Sequence, residues 1–94
     1  MNNERKITEV SQVLLSEKQF GYVARKNELT FQEKHIVELI FSGLKNNVIA
    51  QTLRIQPGTV KTHLRNIYRK TRVKSKPNLI IKFLIEAREL NSGG

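Results

Sequence analysis

The sequence predicts an all-α fold, with four helices forming one domain and an additional helix ahead of it. Three observations carry this. Apolar residues recur at helical spacing in several separate stretches. Residues that start or stop helices fall between those stretches: Thr30 with Glu33, Gly43, Asn46, Pro57 and Pro77. Finally, wound at about 100° per residue, segment 57–71 sorts into an apolar arc and a basic arc.

Residues 1–6 are polar and expected to fray. From there Ile7, Val10 and Leu14 share a face, with Val13 and Phe20 alongside, which predicts a helix that Gly21 should stop. Its apolar stripe either packs on the domain behind it, the reading favoured here, or serves self-association or a regulatory protein partner. Residues 22–28 carry no clear period and read as a connector, so residues 1–28 form an arm, 29–90 a domain and 91–94 a flexible tail.

The domain opens with Thr30 and Glu33 at the spacing of a capping box, and Leu29 before the cap can act as half of a hydrophobic staple. Glu33 is thereby structural rather than catalytic. Ile36, Val37, Leu39 and Ile40 give a buried stripe, and Gly43 ends the helix because glycine takes a left-handed turn without steric cost. Asn46, a good N-cap, begins a shorter helix through Ile49, Ala50 and Leu53. Ala50 is small enough to let another helix cross closely.

A turn follows, with Ile55 pointing inward. Pro57 suits the first turn of the next helix, but Gln56 is a poor cap for it. That helix, about 57–71, places Val60, Leu64 and Ile67 on one side, with Thr71 at the polar end of the arc. Lys61, Thr62, Arg65, Arg69 and Arg72 fall on the other. Val73 returns to the core and residues 74–77 make a charged turn. Leu79, Ile80, Phe83, Leu84 and Ala87 build the last helix, ending near Leu90, and are expected first of all in the core.

Composition narrows the function. A hydrophobic fraction of 38% allows a modest core. No apolar run approaches a bilayer span, and the polar N-terminus lacks a secretory h-region, so the expected place is the cytoplasm. Without cysteine there is no disulfide or thiolate metal site. The net charge is +9, and all eight carboxylates lie outside residues 39–85. The basic residues within that span have no acid to balance them, a distribution that points to a polyanion. His35, expected at the surface of the first domain helix, and His63, with no cysteine or aspartate to help, make no metal set. No nucleophile–base pair or phosphate-cradling glycine loop can be assembled, which argues against an enzyme and against a cofactor.

Two short helices joined by a tight turn, the second basic, describe a helix-turn-helix. Residues 29–84 resemble the DNA-binding domain of the LuxR/GerE family of bacterial transcription regulators. The resemblance lies in Leu29, Thr30 and Glu33; Gly43, Leu44, Asn46, Ile49, Ala50 and Leu53; then Thr59 through His63, Ile67, Lys70 and Val73. Several of these are ordinary core positions. Departures are Val48 for a common glutamate, Gln56 for serine or threonine, Thr71-Arg72 for Leu-Gly, and Lys76 for arginine. With Arg72 in place of glycine, the basic helix lacks the residue that best takes a left-handed cap.

The resemblance implies a sequence-specific regulator, activator or repressor, that binds double-stranded DNA as a homodimer. Lys61, Thr62 and Arg65 would face base edges, while Lys45, Asn46, Thr59 and Lys70 would sit near phosphates. Arg69 would touch phosphate or water. The physics agrees for Lys61 and Arg65, since both side chains can donate to guanine O6 and N7. In the family the last helix often makes the dimer contact. Two rivals stand beside this reading: a sigma-factor region-4-like module, and a protein-interaction module that keeps the shape but binds another regulator. The resembled regulators often carry a sensing domain, for which residues 1–28 are too short. That leaves a stand-alone regulator, favoured by the start at Met1, or a piece of a longer protein.

Overall fold

The computed structural model describes residues 14–92, with side chains through residue 90. Its elements are α1 (Glu17–Lys26), α2 (Phe31–Phe41), α3 (Asn46–Leu53), α4 (Pro57–Thr71) and α5 (Lys76–Ser92). Among the described residues the arrangement is all-α, four helices plus one before them. The part of the expected arm that holds Ile7, Val10 and Val13, and the end of the tail at 93–94, lie outside the described residues.

Helix starts and stops follow one local rule. Each of α1 to α4 closes with a residue in the left-handed region: Glu28 (φ 56°), Gly43 (φ 83°), Arg54 (φ 58°) and Arg72 (φ 60°). The next residue, Leu29, Leu44, Ile55 or Val73, sends its N–H back five positions, to Ala24, Leu39, Ala50 or Tyr68. That is a Schellman closure, whose following residue is characteristically apolar. All four of those residues pack against the core. Leu29, Leu44 and Ile55 also directly precede the N-cap of the next helix, so each fixes both an exit and an entry.

One core unites the five helices. Phe20 and Val23 from α1, Ile36 and Val37 from α2, Ile49 from α3, Val60 and Ile67 from α4, and Leu79 and Phe83 from α5 are fully buried. Phe20 stands edge-on to Phe41 at 5.0 Å and 83°, and both rings approach Phe83, at 6.2 and 6.1 Å. These three rings join α1, α2 and α5. At the surface Asn27 donates to Glu86 (2.8 Å), and Glu89 accepts from Tyr22 (3.1 Å) and Lys26 (2.5 Å).

Several expectations are corrected. Gly21 does not stop the first helix. Ser16 starts it with a capping box, its hydroxyl accepting from Gln19 N–H and its own N–H donating to Gln19 Oε1. The helix then runs through Gly21 to Lys26, because Phe20, Val23 and Ala24 bury one face and offset the modest cost of an interior glycine. Residues 22–26 are therefore helix, not connector. Lys45, not Asn46, is the N-cap of α3, and Asn46 is its first helical residue. The last helix begins at Lys76 rather than Pro77 and runs past Leu90 to Ser92, so the expected tail is helical at 91–92. Leu84, expected in the core, is 37% exposed. His35, expected at the surface, is half-buried.

Candidate nucleic-acid interface

The candidate surface is built on α3 and α4, which pack closely on each other and give Ile49, Ala50, Val60 and Leu64 to the shared core. At 1.5 Å per residue α4 is about 22 Å long. Val60, Leu64, Ile67 and Thr71 are buried, and the Thr71 hydroxyl donates to the Ile67 carbonyl at 2.7 Å, which satisfies it inside the core. That burial turns Lys61, Thr62, Arg65 and Arg69 outward, and all four are exposed. The Thr62 hydroxyl donates to the Gly58 carbonyl at 3.1 Å, leaving its methyl and its lone pairs to whatever approaches. Thr59 is also exposed, near the helix start.

Electrostatics favour an anion on this side. Among the described residues, Glu33, Glu38, Glu86 and Glu89 pair with Lys26, Lys34, Lys70 and Lys82. Among the described residues, Lys45, Lys61, Arg65 and Arg69 meet no carboxylate. Unpaired cations on one face keep their charge available to an external partner. The N-terminus of α4 adds the positive end of the helix dipole, and Gln56 provides no side-chain cap there.

Of the sequence-predicted site residues, the structure brings Lys61, Thr62, Arg65 and Arg69 onto one face; Thr59 is exposed in the first turn of α4 but lies off that face, and Lys45 is exposed at the start of α3. Two others are engaged within the chain. The Asn46 carbonyl oxygen accepts from the Lys76 ammonium, which ties the start of α3 to the start of α5. Burial holds Lys76 below the ordinary lysine range. Lys70 donates to Glu33 Oε1 at 2.8 Å, and the same oxygen accepts from the Thr30 N–H at 2.8 Å. Burial pushes the Glu33 carboxyl upward, but those bonds outweigh it and leave it below the usual glutamate range. Neither engagement could be read from the sequence, since the partners lie 30 and 37 positions apart. His63 and Tyr68 are half-buried at the flanks of the packed face, and burial raises the Tyr68 phenol.

The resemblance implied a dimer contact on the last helix, but sequence reasoning did not say which residues of α5 face outward. Ile81 (52% exposed), Leu84 and Ile85 (58%) line one side of it at helical spacing. Ile81 and Ile85 border a groove of about 560 Å³ shared with Arg72, Val73 and Lys74. Their spacing was visible, but not which side of the helix the core would take. Among the described residues no three metal-ligating side chains converge, and no helix is long and apolar enough to cross a membrane.

Comparison with known proteins agrees with this architecture. Residues 27–83 match the family described as bacterial regulatory proteins, luxR family. The chain is 41% identical over 61 residues to the monoamine regulon transcriptional regulator of Klebsiella aerogenes, a match covering 65% of this chain and 27% of that protein. It is 37% identical over 59 residues to the HTH-type transcriptional regulator MalT of Vibrio campbellii, and 40% identical over 57 residues to MalT of Yersinia enterocolitica. Those matches cover 63% and 61% of this chain but 6% of each MalT. The chain thus spans only a small part of the length of these relatives. No solved structure matches it.

Proposed function

The chain belongs to the luxR family of bacterial regulatory proteins, and from that premise we propose that it regulates transcription in the bacterial cytoplasm by laying α4 in the major groove of DNA. The observation that carries this reading is the two-sidedness of α4. Val60, Leu64 and Ile67 are packed inward, while Lys61, Thr62 and Arg65 are exposed and free of carboxylates. A helix of this width fits the major groove. Lys61 and Arg65 would donate to guanine edges, and the Thr62 methyl would meet a thymine methyl. Lys45, Asn46, Thr59 and Arg69 would contact phosphates, which set register without reading sequence. The family match at residues 27–83 spans all of these residues.

Two copies would meet through the Ile81, Leu84 and Ile85 face of α5, giving a homodimer on DNA. Two-fold symmetry then places half-sites about one helical turn apart. Selection of bound sites from random oligonucleotides tests both parts. The expected result is a preferred motif with paired, inverted halves, bound with an affinity that falls as salt rises by a log–log slope of about −0.9 per neutralised phosphate. Recovery of no preferred site would overturn the reading and favour a protein-interaction module.

A further inference from the structure

We infer that Glu33 and Lys70 are a positioning pair that fixes how α4 is presented to DNA, and that Lys70 is not one of its phosphate ligands. The inference rests on the DNA-binding reading above. Wound at about 100° per residue, Lys70 falls about 180° around α4 from Lys61 and about 140° from Arg65, whereas Arg69 is about 80° from Lys61. The face that carries Lys61 and Arg65 therefore does not carry Lys70.

Its ammonium is already engaged. It sits 2.8 Å from Glu33 Oε1, on a residue only 3% exposed. Swinging Lys70 to a phosphate would strand that buried charge with no cation to offset its lost hydration. Glu33 is itself rigidly placed, because the Thr30 hydroxyl accepts its N–H and its Oε1 accepts the Thr30 N–H. The pair thus anchors the last turn of α4 to the first turn of α2. The three-residue turn 54–56 ties the other end of α4 to α3, against which α4 packs. Anchored at both ends, the helix presents Lys61 and Arg65 at one fixed tilt. An unanchored end would spend binding energy on ordering.

The test uses the full chain, with Glu33→Gln, Lys70→Met and the double variant, on the site recovered from random oligonucleotides. Fluorescence anisotropy from 50 to 200 mM salt gives affinity and salt slope. Each single variant should weaken binding roughly two- to thirtyfold, the range for residues that act on a ligand site through an intervening element. The slope should not change, and the double variant should be no weaker than the weaker single one. Lys70→Met flattening the slope by about 0.9 would overturn the inference, since that is the loss of one phosphate contact. So would unchanged or tighter binding by Glu33→Gln, because a freed Lys70 would then be helping DNA directly.

Should Lys70→Met fail to fold, Glu33→Gln still decides, as it keeps an oxygen for the Thr30 N–H. Amide exchange on the free Glu33→Gln chain gives a readout that needs no DNA. Exchange should quicken across residues 67–72 and stay slow at Val60 and Leu64, and uniform protection would overturn the inference. A wild-type chain with no affinity for any DNA would instead overturn the function proposed above, a result easily told apart from wild-type binding with an indifferent Glu33→Gln.

Discussion

Phe20→Ala asks whether the helix ahead of the luxR-like segment is an appendage or part of the fold. The ring is fully buried, edge-on to Phe41 at 5.0 Å and 6.2 Å from Phe83. Removing such a ring costs about 3–5 kcal/mol in transfer and cavity terms together. Aromatic contacts of about 0.5–1.5 kcal/mol each lie within that figure. A chain this short sits near the low end of the usual ~5–15 kcal/mol, so the substitution removes a large share of its stability. Urea unfolding followed by far-UV circular dichroism measures it. With a slope of roughly 1 kcal/mol/M, the midpoint should fall by about 3 M or the folded baseline should vanish. Leu14→Ala, at a residue 52% exposed, is the control and should shift stability by no more than ~0.5 kcal/mol. A loss below about 1 kcal/mol for Phe20→Ala, with an unchanged slope, would refute the reasoning. It would mean that α1 rests on a core that closes without it.

Three further outcomes are expected. The Glu33 carboxyl lies below its unfolded value, so the stability it contributes is present at neutral pH and is lost as pH falls from about 4.3 through the folded value. Acid titration of Glu33→Gln should therefore show a shallower stability loss below pH 5 than wild type, and identical curves would contradict the pairing. Gln56 offers α4 no side-chain cap, so Gln56→Ser should raise stability by about 0.5–1 kcal/mol in the same urea assay, and a loss would argue against an open N-terminus. Charging the outer face of α5 by Ile85→Glu, at a residue 58% exposed, should leave folding intact. It should weaken binding to paired half-sites but not to a single half-site, and equal effects on both would remove α5 as the dimer face.

Much of this was legible because it is local. The periodicity that turns Val60, Leu64 and Ile67 inward also turns Lys61 and Arg65 outward, and the burial of the first three accords with it. The Thr30–Glu33 box could be read from spacing alone. So could the Ser16–Gln19 box, but the weight given to Gly21 hid it. The left-handed closures at Glu28, Arg54 and Arg72 were hidden for a different reason. Nothing in a glutamate or an arginine announces positive φ, and the readable signal is the apolar residue that follows each one. The exposure of Leu84 depended on which side of α5 the aromatic cluster takes. The engagement of Lys70 by Glu33 and of Asn46 by Lys76 depends on tertiary approach, which no local pattern carries.

The claim that α4 reads bases, rather than merely holding charge, is tested most directly by comparing wild type with Lys61→Ala and Arg65→Ala on the selected site and on random duplex at one salt concentration. Each substitution should cost ~1–3 kcal/mol on the selected site, cost much less on random DNA, and relax base preference at one position of the motif. Equal losses on both DNAs would show that these side chains touch only phosphate, and the account of α4 as a recognition helix would fail.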